Sequence, residues 1–312
     1  MRSGVHRIIS TIYHIAIPKP LRKDFNRRRY FYSKYREVAS YYSRRELSAD
    51  QKRSLLFLKK HRFNLDYPRF VYTTDIYSKY SKRYGTVDVL KDKDNGLYYI
   101  VHLNKRLYFK RGLSSDEIRH LYCVLLTEMD FDSPHAYSVE PDELYGRVMY
   151  DCGVAEGIFP LTHIDKFMHI VLFECDEGWI EALNATFKPY SSKVTIVNKY
   201  VSDRTSDGSI SIDDYCLQSS LIPTFLKMDI EGCEKEALLG AKSTLSRASN
   251  LLCAICCYHK ANAETEIVDC MKTFGYSPKY NHGNMIFIFG NEYTPPYLRR
   301  GVIRFQLDTV KK

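Results

Sequence analysis

Residues Thr224–Ala241 read TFLKMDIEGCEKEALLGA. The first half interleaves Leu226, Met228 and Ile230 with Lys227, Asp229 and Glu231. Successive side chains of an extended strand point to opposite faces, so the apolar three share one face and the charged three the other. On a half-exposed strand the charges would simply meet water. The neighbouring segments argue against that reading. From Arg147 onward, strand-like and helix-like runs alternate: VMYDCG, HIVLFECD, the helix GWIEALNATF, VTIVNKYVSD, FLKMDIEG, the helix CEKEALLGAKSTLSRA, LLCAICCYHK, the helix ETEIVDCMKTFG, and NMIFIFG. Such alternation predicts an α/β fold, a mostly parallel sheet covered on both faces. Charged groups inside such a sheet must be paired or used. Between SPKYNH and NMIFIF there is only a His282-Gly283-Asn284 turn, too short for a parallel crossover, so these two runs are expected to form a C-terminal antiparallel hairpin.

The flanks differ in character. Residues 1 to 62 carry 17 Lys or Arg against four Asp or Glu, whereas the whole chain of 312 residues has a formal charge of +9, so the remainder is slightly acidic. HRIISTIYHIAI followed by PKPLRKDFNRRRYFYSKYR describes a basic, mostly helical region. It fits two roles: an amphipathic segment lying on an anionic membrane, or a solvated helical face whose Tyr and Ile residues pack on the main unit. The second is the ordinary behaviour of charge runs on helices. Nucleic acid is not an expected partner, because aromatic interleaving alone does not make such a site. Residues 63 to 144 read as a small α+β accessory unit. FVYTTDIY, GLYYIVHL and KRLYFKR are short β-rich runs with an Asp94-Asn95-Gly96 turn, and SSDEIRHLYCVLLTEMD is a helix capped by Ser114 or Ser115 with an apolar stripe at Ile118, Leu121 and Leu125. SPHAYSVEPDELYG is a connecting loop. Residues 145 to 290 hold the α/β unit, and residues 291 to 312 are expected to be a C-terminal tail.

A hydrophobic content of 45% excludes a disordered or fibrous chain and supports a full core. There are nine cysteines, an odd number, several inside apolar runs, which predicts buried thiols in a reducing, cytoplasmic setting. No run approaches 18 uninterrupted apolar residues, so no spanning helix is expected. Cys253-x-x-Cys256-Cys257 lies within a strand-like run; alternation points Cys253 and Cys257 to one face and Cys256 to the other. With no second pair to complete four ligands, the motif reads as core packing rather than metal binding.

Each parallel-strand run is apolar through its body and polar at its carboxyl end: Asp151 after VMY, Glu174 and Asp176 after IVLF, Asp229 and Glu231 after FLKM, His259 after LLCAICCY. In an open α/β sheet those ends form one rim, and ligands bind outside it. A structural Lys227–Asp229 pair is the alternative use of those two charges. The turn Asp151-Cys-Gly153-Val-Ala-Glu156-Gly157 lacks the G-x-G-x-x-G of dinucleotide folds. An acid at the end of the second strand, Glu174, suits two ribose hydroxyls, so the set suits a nucleoside without a pyrophosphate. S-adenosylmethionine is the common ligand of that description.

VMYDCGVAEGIF, VLFECDEGWIEALNATF, YVSD and FLKMDIEGCEKEALLGA with the later YHK resemble the FkbM-type methyltransferases over about residues 145 to 290, and K-x-D-x-E-G-x-E is the most specific part. The upstream KRLYFKRGLSSDEIRHLYCVLLTEMDFDSPHAY is similar to the segment preceding the catalytic domain in bacterial members associated with surface glycans. The resemblance implies a class I methyltransferase Rossmann-like fold and S-adenosylmethionine as cofactor. It implies that Asp151, Gly153 and Gly157 form the cofactor turn, that Glu174 holds the ribose, and that Ser202 and Asp203 lie near the adenine. Lys227, Asp229, Glu231 and His259 would face the transferring methyl group. The sequence departs from the family at Ala155-Glu156, where Ala-Asn is common.

The expected chemistry is in-line attack of a hydroxyl on the sulfonium methyl. His259 or Asp229 would take the proton, with Glu231 or Lys227 orienting it. Alternatively, Asp229, Glu231 and His259 could coordinate a divalent ion that lowers the hydroxyl pKa. The acceptor implied by the resemblance is a sugar hydroxyl of a surface polysaccharide or its lipid-linked precursor, and the basic N-terminal region would suit peripheral contact with the inner membrane face. An NAD-dependent oxidoreductase and a non-catalytic scaffold are the rival classes.

Overall fold

The computed structural model describes residues 19–63, 71–138, 140–288 and 294–308. Its strands, in chain order, are β1 (Leu90–Lys91), β2 (Tyr98–His102), β3 (Lys105–Tyr108), β4 (Val148–Cys152), β5 (His169–Phe173), β6 (Val194–Val197), β7 (Tyr200–Val201), β8 (Ser209–Ile210), β9 (Phe225–Met228), β10 (Leu252–Cys256), β11 (Tyr276–Tyr280), β12 (Met285–Ile286), β13 (Leu298–Arg299) and β14 (Val302–Leu307). A 7-stranded sheet runs β11-β14-β10-β9-β4-β5-β6. The five strands from β10 to β6 are parallel, and β14 pairs antiparallel with both β10 and β11. This is a mixed α/β architecture with a large, mostly parallel, Rossmann-like sheet, as anticipated above.

Period-2 alternation explains why the strands are apolar throughout. Met149, Ile170, Leu172, Phe225 and Ala254 enter one core; Tyr150, Val171, Phe173, Leu226, Met228 and Ile255 enter the other. Cys253 and Cys257 enter the second core and Cys256 the first, as expected, and all three are free and buried. On β9 the same alternation puts Lys227 on the Phe225 side, an apolar face where its ammonium requires a partner.

Two expectations are corrected here. SPKYNH does pair antiparallel, but with Val302–Leu307 rather than with NMIFIF. The presumed C-terminal tail therefore supplies a strand of the main sheet. Met285–Ile286 instead pairs with Leu298–Arg299 in a separate ribbon. The reason is packing: Ile286 and Ile288 meet Phe31, Val38, Tyr42 and Leu58 of the N-terminal helices, while Val302, Ile303 and Phe305 fill the sheet core. The long helix expected after Gly232 is also two short ones, Glu234–Leu239 and Lys242–Arg247. They break at Gly240, where a Cβ would fall 2.1 Å from the Ser202 carbonyl oxygen.

The basic region contributes the helices Lys19–Tyr42 and Ala49–His61, the latter opened by a Ser48–Gln51 capping box. Their aromatic side packs on the β12–β13 ribbon; Tyr297 donates to Glu37 (2.7 Å), and the Leu298 N–H donates to the Tyr42 hydroxyl oxygen (2.9 Å). One side of these helices thus packs on the main unit, leaving their basic side outward; HRIISTIYHIAI lies outside the described residues. The expected accessory unit comprises the antiparallel β1-β2-β3 sheet and the helix Ser115–Glu128, capped by Ser114 with Glu117. Ile118 and Leu125 are buried and Leu121 packs at the margin, in a core continuous with that of the main sheet. Lys110–Asp176 (2.8 Å) and a two-point Arg111–Glu181 pair tie this unit to the helix Glu177–Phe187.

Candidate active site

The carboxyl ends of β4 and β9 lie side by side, with Asp151 and Lys227 in register. Lys227 Nζ donates to Asp151 Oδ1 (2.6 Å) and to the Gly153 carbonyl (2.8 Å), and lies 4.9 Å from the Tyr137 ring centroid. Burial lifts Asp151 to about 6 despite the lysine. For Lys227, burial opposes the charge, but Asp151 and Asp229 outweigh it and raise its pKa. The donor geometry settles the state: an ammonium held by two acceptors makes this an ion pair at neutral pH, and Asp151 takes up a proton only as the pH falls towards about 6. Asp151 Oδ2 is buried without a hydrogen-bond partner.

Strand β9 stops at Met228, so the alternation read through Glu231 ends three residues early. Ile230–Gly232 is a turn in which Glu231 takes φ 56° and Gly232 φ 93°. A left-handed non-glycine residue costs about 1–3 kcal/mol and needs outside support. Glu234, 1% exposed, supplies it: Oε1 accepts the N–H groups of Ile230 (3.1 Å) and Gly232 (3.2 Å) and lies 3.1 Å from His259 Nδ1. His259 Nε2 faces Asp229 Oδ1 (3.4 Å) and Glu231 Oε2 (3.5 Å). Burial opposes a charge on His259, but Glu234, Asp229 and Glu231 together raise its pKa. Asp229 accepts from Tyr137 (2.7 Å, Oδ2) and Tyr258 (3.3 Å, Oδ1). Burial pushes its carboxyl up, but His135, Lys227, His259 and the Tyr137 hydroxyl together hold it below the usual range.

The glycine turn closes against this cluster. Gly153 has φ 78°, and a Cβ there would lie 1.8 Å from the Asp229 carbonyl oxygen. Gly157, φ 74°, opens the helix Ile158–Thr162. The Ala155 N–H donates to Glu174 Oε2 (2.8 Å), and the Asp176 N–H donates to Oε1 (2.8 Å), so buried Glu174 braces the turn from the end of β5. Two carboxyls beside the cluster hold protons near neutrality. Burial, then Asp229 and Glu156, lifts Glu128 to about 8, and burial lifts Glu156 to about 7. Ser202 and Asp203 begin the connection from β7 to β8; the Ser202 carbonyl packs on Gly240, and the Ser202 hydroxyl donates to Asp203 Oδ1 (3.2 Å).

Sequence reasoning passed over several members. Glu128, His135 and Tyr137 come from the helix end and the loop that were read as a mere connection, and His135 Nε2 lies 3.8 Å from Asp229 Oδ2. Burial drops His135 to about 4, so it is neutral, and its neighbour Cys256 is likewise a neutral buried thiol. Glu234 was visible as the last letter of K-x-D-x-E-G-x-E, and Tyr258 adjoins His259. Arg299, 5% exposed, is the outer support. It donates to the carbonyls of Tyr258 (2.7 Å), His259 (3.4 Å), Thr294 (3.1 Å) and Pro296 (3.2 Å). Its guanidinium covers Phe287, which stacks on Tyr258.

No protein-family model matches the sequence, and no curated protein matches it. Among solved structures, the chain is similar to methyltransferase FkbM from Methylobacillus flagellatus KT, at 18% identity and TM-score 0.42, over 74% of this chain and 58% of that one. A precorrin-6y C5,15-methyltransferase from Geobacter metallireducens GS-15 gives 14% identity and TM-score 0.37 over 63% of this chain and 90% of its own. A Methanococcus jannaschii fibrillarin pre-rRNA processing protein gives 10% and 0.38 over 71% and 97%. The chain thus spans 58% of the length of the FkbM structure. At these identities the likeness concerns the fold.

Proposed function

We propose that this chain is an S-adenosylmethionine-dependent O-methyltransferase whose acceptor is a sugar hydroxyl of a surface polysaccharide or of its lipid-linked precursor. One observation carries the reading: the buried Asp151–Lys227 pair, with an unpartnered Asp151 Oδ2, adjoins the Asp229–His259 edge at a single sheet rim. These residues fit the cofactor. Asp151 Oδ2 would accept from its ammonium, and Glu174, with lone pairs left beyond its two backbone bonds, would accept from the ribose hydroxyls. When bound, the cofactor supplies an electrophilic methyl on a sulfonium.

The remaining work falls to the protein. His259 Nε2 takes the acceptor hydroxyl's proton, and Glu234 and Asp229 steady the imidazolium that results. Asp229 itself, held ionised, is the weaker base. Glu128 and Glu156, protonated near neutrality, can donate to sugar oxygens. Activity should rise as the pH passes the elevated His259 pKa, because only the neutral ring accepts a proton. The basic helices, with exposed Tyr30, Leu56 and Phe63 among their Arg and Lys residues, would hold the protein on an anionic cytoplasmic membrane face that carries the acceptor. No helix among the described residues is long and apolar enough to cross a membrane.

Calorimetric titration with S-adenosylmethionine, S-adenosylhomocysteine and NAD tests the core of this reading. The first two should bind, and Glu174→Gln, which keeps one carbonyl acceptor for the turn, should weaken both. Binding of NAD alone would transfer the chain to the oxidoreductases, and no binding would leave a scaffold.

A further inference from the structure

We infer that Glu231 selects the acceptor, by binding a free hydroxyl on the ring carbon next to the one that is methylated. Its carboxylate stands 3.5 Å from His259 Nε2, and its side chain is 93% exposed. The other carboxylates around that imidazole are already engaged. Asp229 accepts from Tyr137 at Oδ2 and from Tyr258 at Oδ1, and Glu234 Oε1 accepts two backbone N–H groups. Among the described residues facing the ring, Glu231 is the carboxylate whose two oxygens both remain free for an incoming molecule. Nε2 itself is buried and makes no hydrogen bond, so the two free groups open side by side onto the same space.

The backbone gives an independent reason. Glu231 takes φ 56° between Ile230 and Gly232, whose N–H groups Glu234 holds. Glycine adopts that conformation freely, whereas a residue with a Cβ is strained in it. Packing does not explain a glutamate here, because the side chain is almost wholly in solvent. Charge support for His259 is a weak reason, because Glu234 at 3.1 Å and Asp229 at 3.4 Å provide it from more buried positions. Strain of this kind gathers where a side chain has a task. The free carboxylate is what remains to be used.

A vicinal diol fits the two groups. Gauche hydroxyl oxygens on adjacent ring carbons stand about 3 Å apart, a spacing set by the staggered C–C bond. The gap between Nε2 and Glu231 Oε2 is close to that, at 3.5 Å. One hydroxyl meets Nε2 and gives up its proton there; its neighbour donates to a Glu231 oxygen and keeps its own. The acceptor class is therefore a cis or trans-diequatorial diol, and the product is a monomethyl ether with a free hydroxyl beside it. A trans-diaxial pair, or a ring whose neighbouring position is deoxy or already etherified, makes only one of the two contacts. This inference deepens the methyl-transfer reading and rests on it.

The test follows tritium from methyl-labelled S-adenosylmethionine into the methyl glycosides of glucose, galactose, mannose and rhamnose, and into the same glycosides lacking one ring hydroxyl. With the wild type, removing the hydroxyl beside the methylated one should lower kcat/KM about 10- to 100-fold. Glu231→Gly should lower kcat/KM on the intact glycoside by a similar factor and lose little more on the deoxy one, as two changes to one contact do. It should also melt at the same temperature as the wild type or higher, because the turn is relieved. Equal use of the deoxy glycosides by the wild type, or full activity in Glu231→Gly, overturns the inference. So does a loss of activity in Glu231→Gly that comes with a lower melting temperature, which would make the residue structural. Transfer to none of the glycosides by a chain that binds S-adenosylmethionine overturns it and leaves the methyltransferase reading standing; a chain that binds no S-adenosylmethionine removes both.

Discussion

Lys227 Nζ sits 2.6 Å from Asp151 Oδ1, and the two residues are register partners on adjacent strands. Both are buried, so removing one charge strands the other. Lys227→Met should lower stability by about 3–5 kcal/mol in urea denaturation. Adding Asp151→Asn should restore more than half of the loss. A double variant as unstable as the single one would mean that the pair is not what holds the rim.

Gly153 and Gly275 share a left-handed φ, 78° and 79°, but only Gly153 is crowded, by the Asp229 carbonyl; nothing lies within 4 Å of a Cβ on Gly275. Gly275→Ala should therefore cost only about 1 kcal/mol, and Gly153→Ala at least about 3 kcal/mol, because two strand ends must separate. Thermal melts of the two variants measure the difference.

Burial lowers His102, His135 and His163 to about 4. The unfolded chain binds these protons near pH 6.5 and the folded chain does not, so their contribution is complete above 6.5 and is lost as the pH falls towards 4. His102 is bonded through both nitrogens, to Tyr122 (2.9 Å) and Thr162 (2.8 Å). His102→Gln should narrow the stability gap between pH 7 and pH 5 by about 1–3 kcal/mol. An unchanged gap in paired urea titrations would remove His102 from the acid response.

Arg299 touches the backbone of Tyr258 and His259, not the imidazole edge that faces Asp229. It is a positioning residue. Arg299→Lys keeps the charge but loses the fork, and should lower kcat roughly 10- to 100-fold through a displaced His259 while cofactor affinity stays constant. Equal losses in cofactor binding would point instead to general unfolding of the rim.

The sheet was legible because strand periodicity and polar strand ends are local signals. Asp151, Lys227, Asp229 and His259 meet where β-α alternation placed them. What could not be read locally depends on return visits of the chain. His135 and Tyr137 carry no periodic pattern, and only the folded chain shows that their loop crosses Asp229. Glu231 was misplaced by extending a period of two into a turn that buried Glu234 supports. GVIRFQL has a strand's alternation, but lying beyond the last helix it looked dispensable. Ser202 and Asp203 were assigned by resemblance, and the close approach of their backbone to Gly240 is a contact between distant segments that no local pattern shows.

The insertion of β14 between β10 and β11 gives this chain a particular order of assembly on the ribosome. Until residues 302–307 emerge, β10 and β11 each present an unpaired edge, and the N-terminal helices, made first, have nothing on which to bury Phe31, Val38 and Leu58 until the β12–β13 ribbon exists. Contacts such as Glu37 with Tyr297 span 260 residues. Synthesis at about 5–20 residues per second leaves those surfaces uncovered for many seconds.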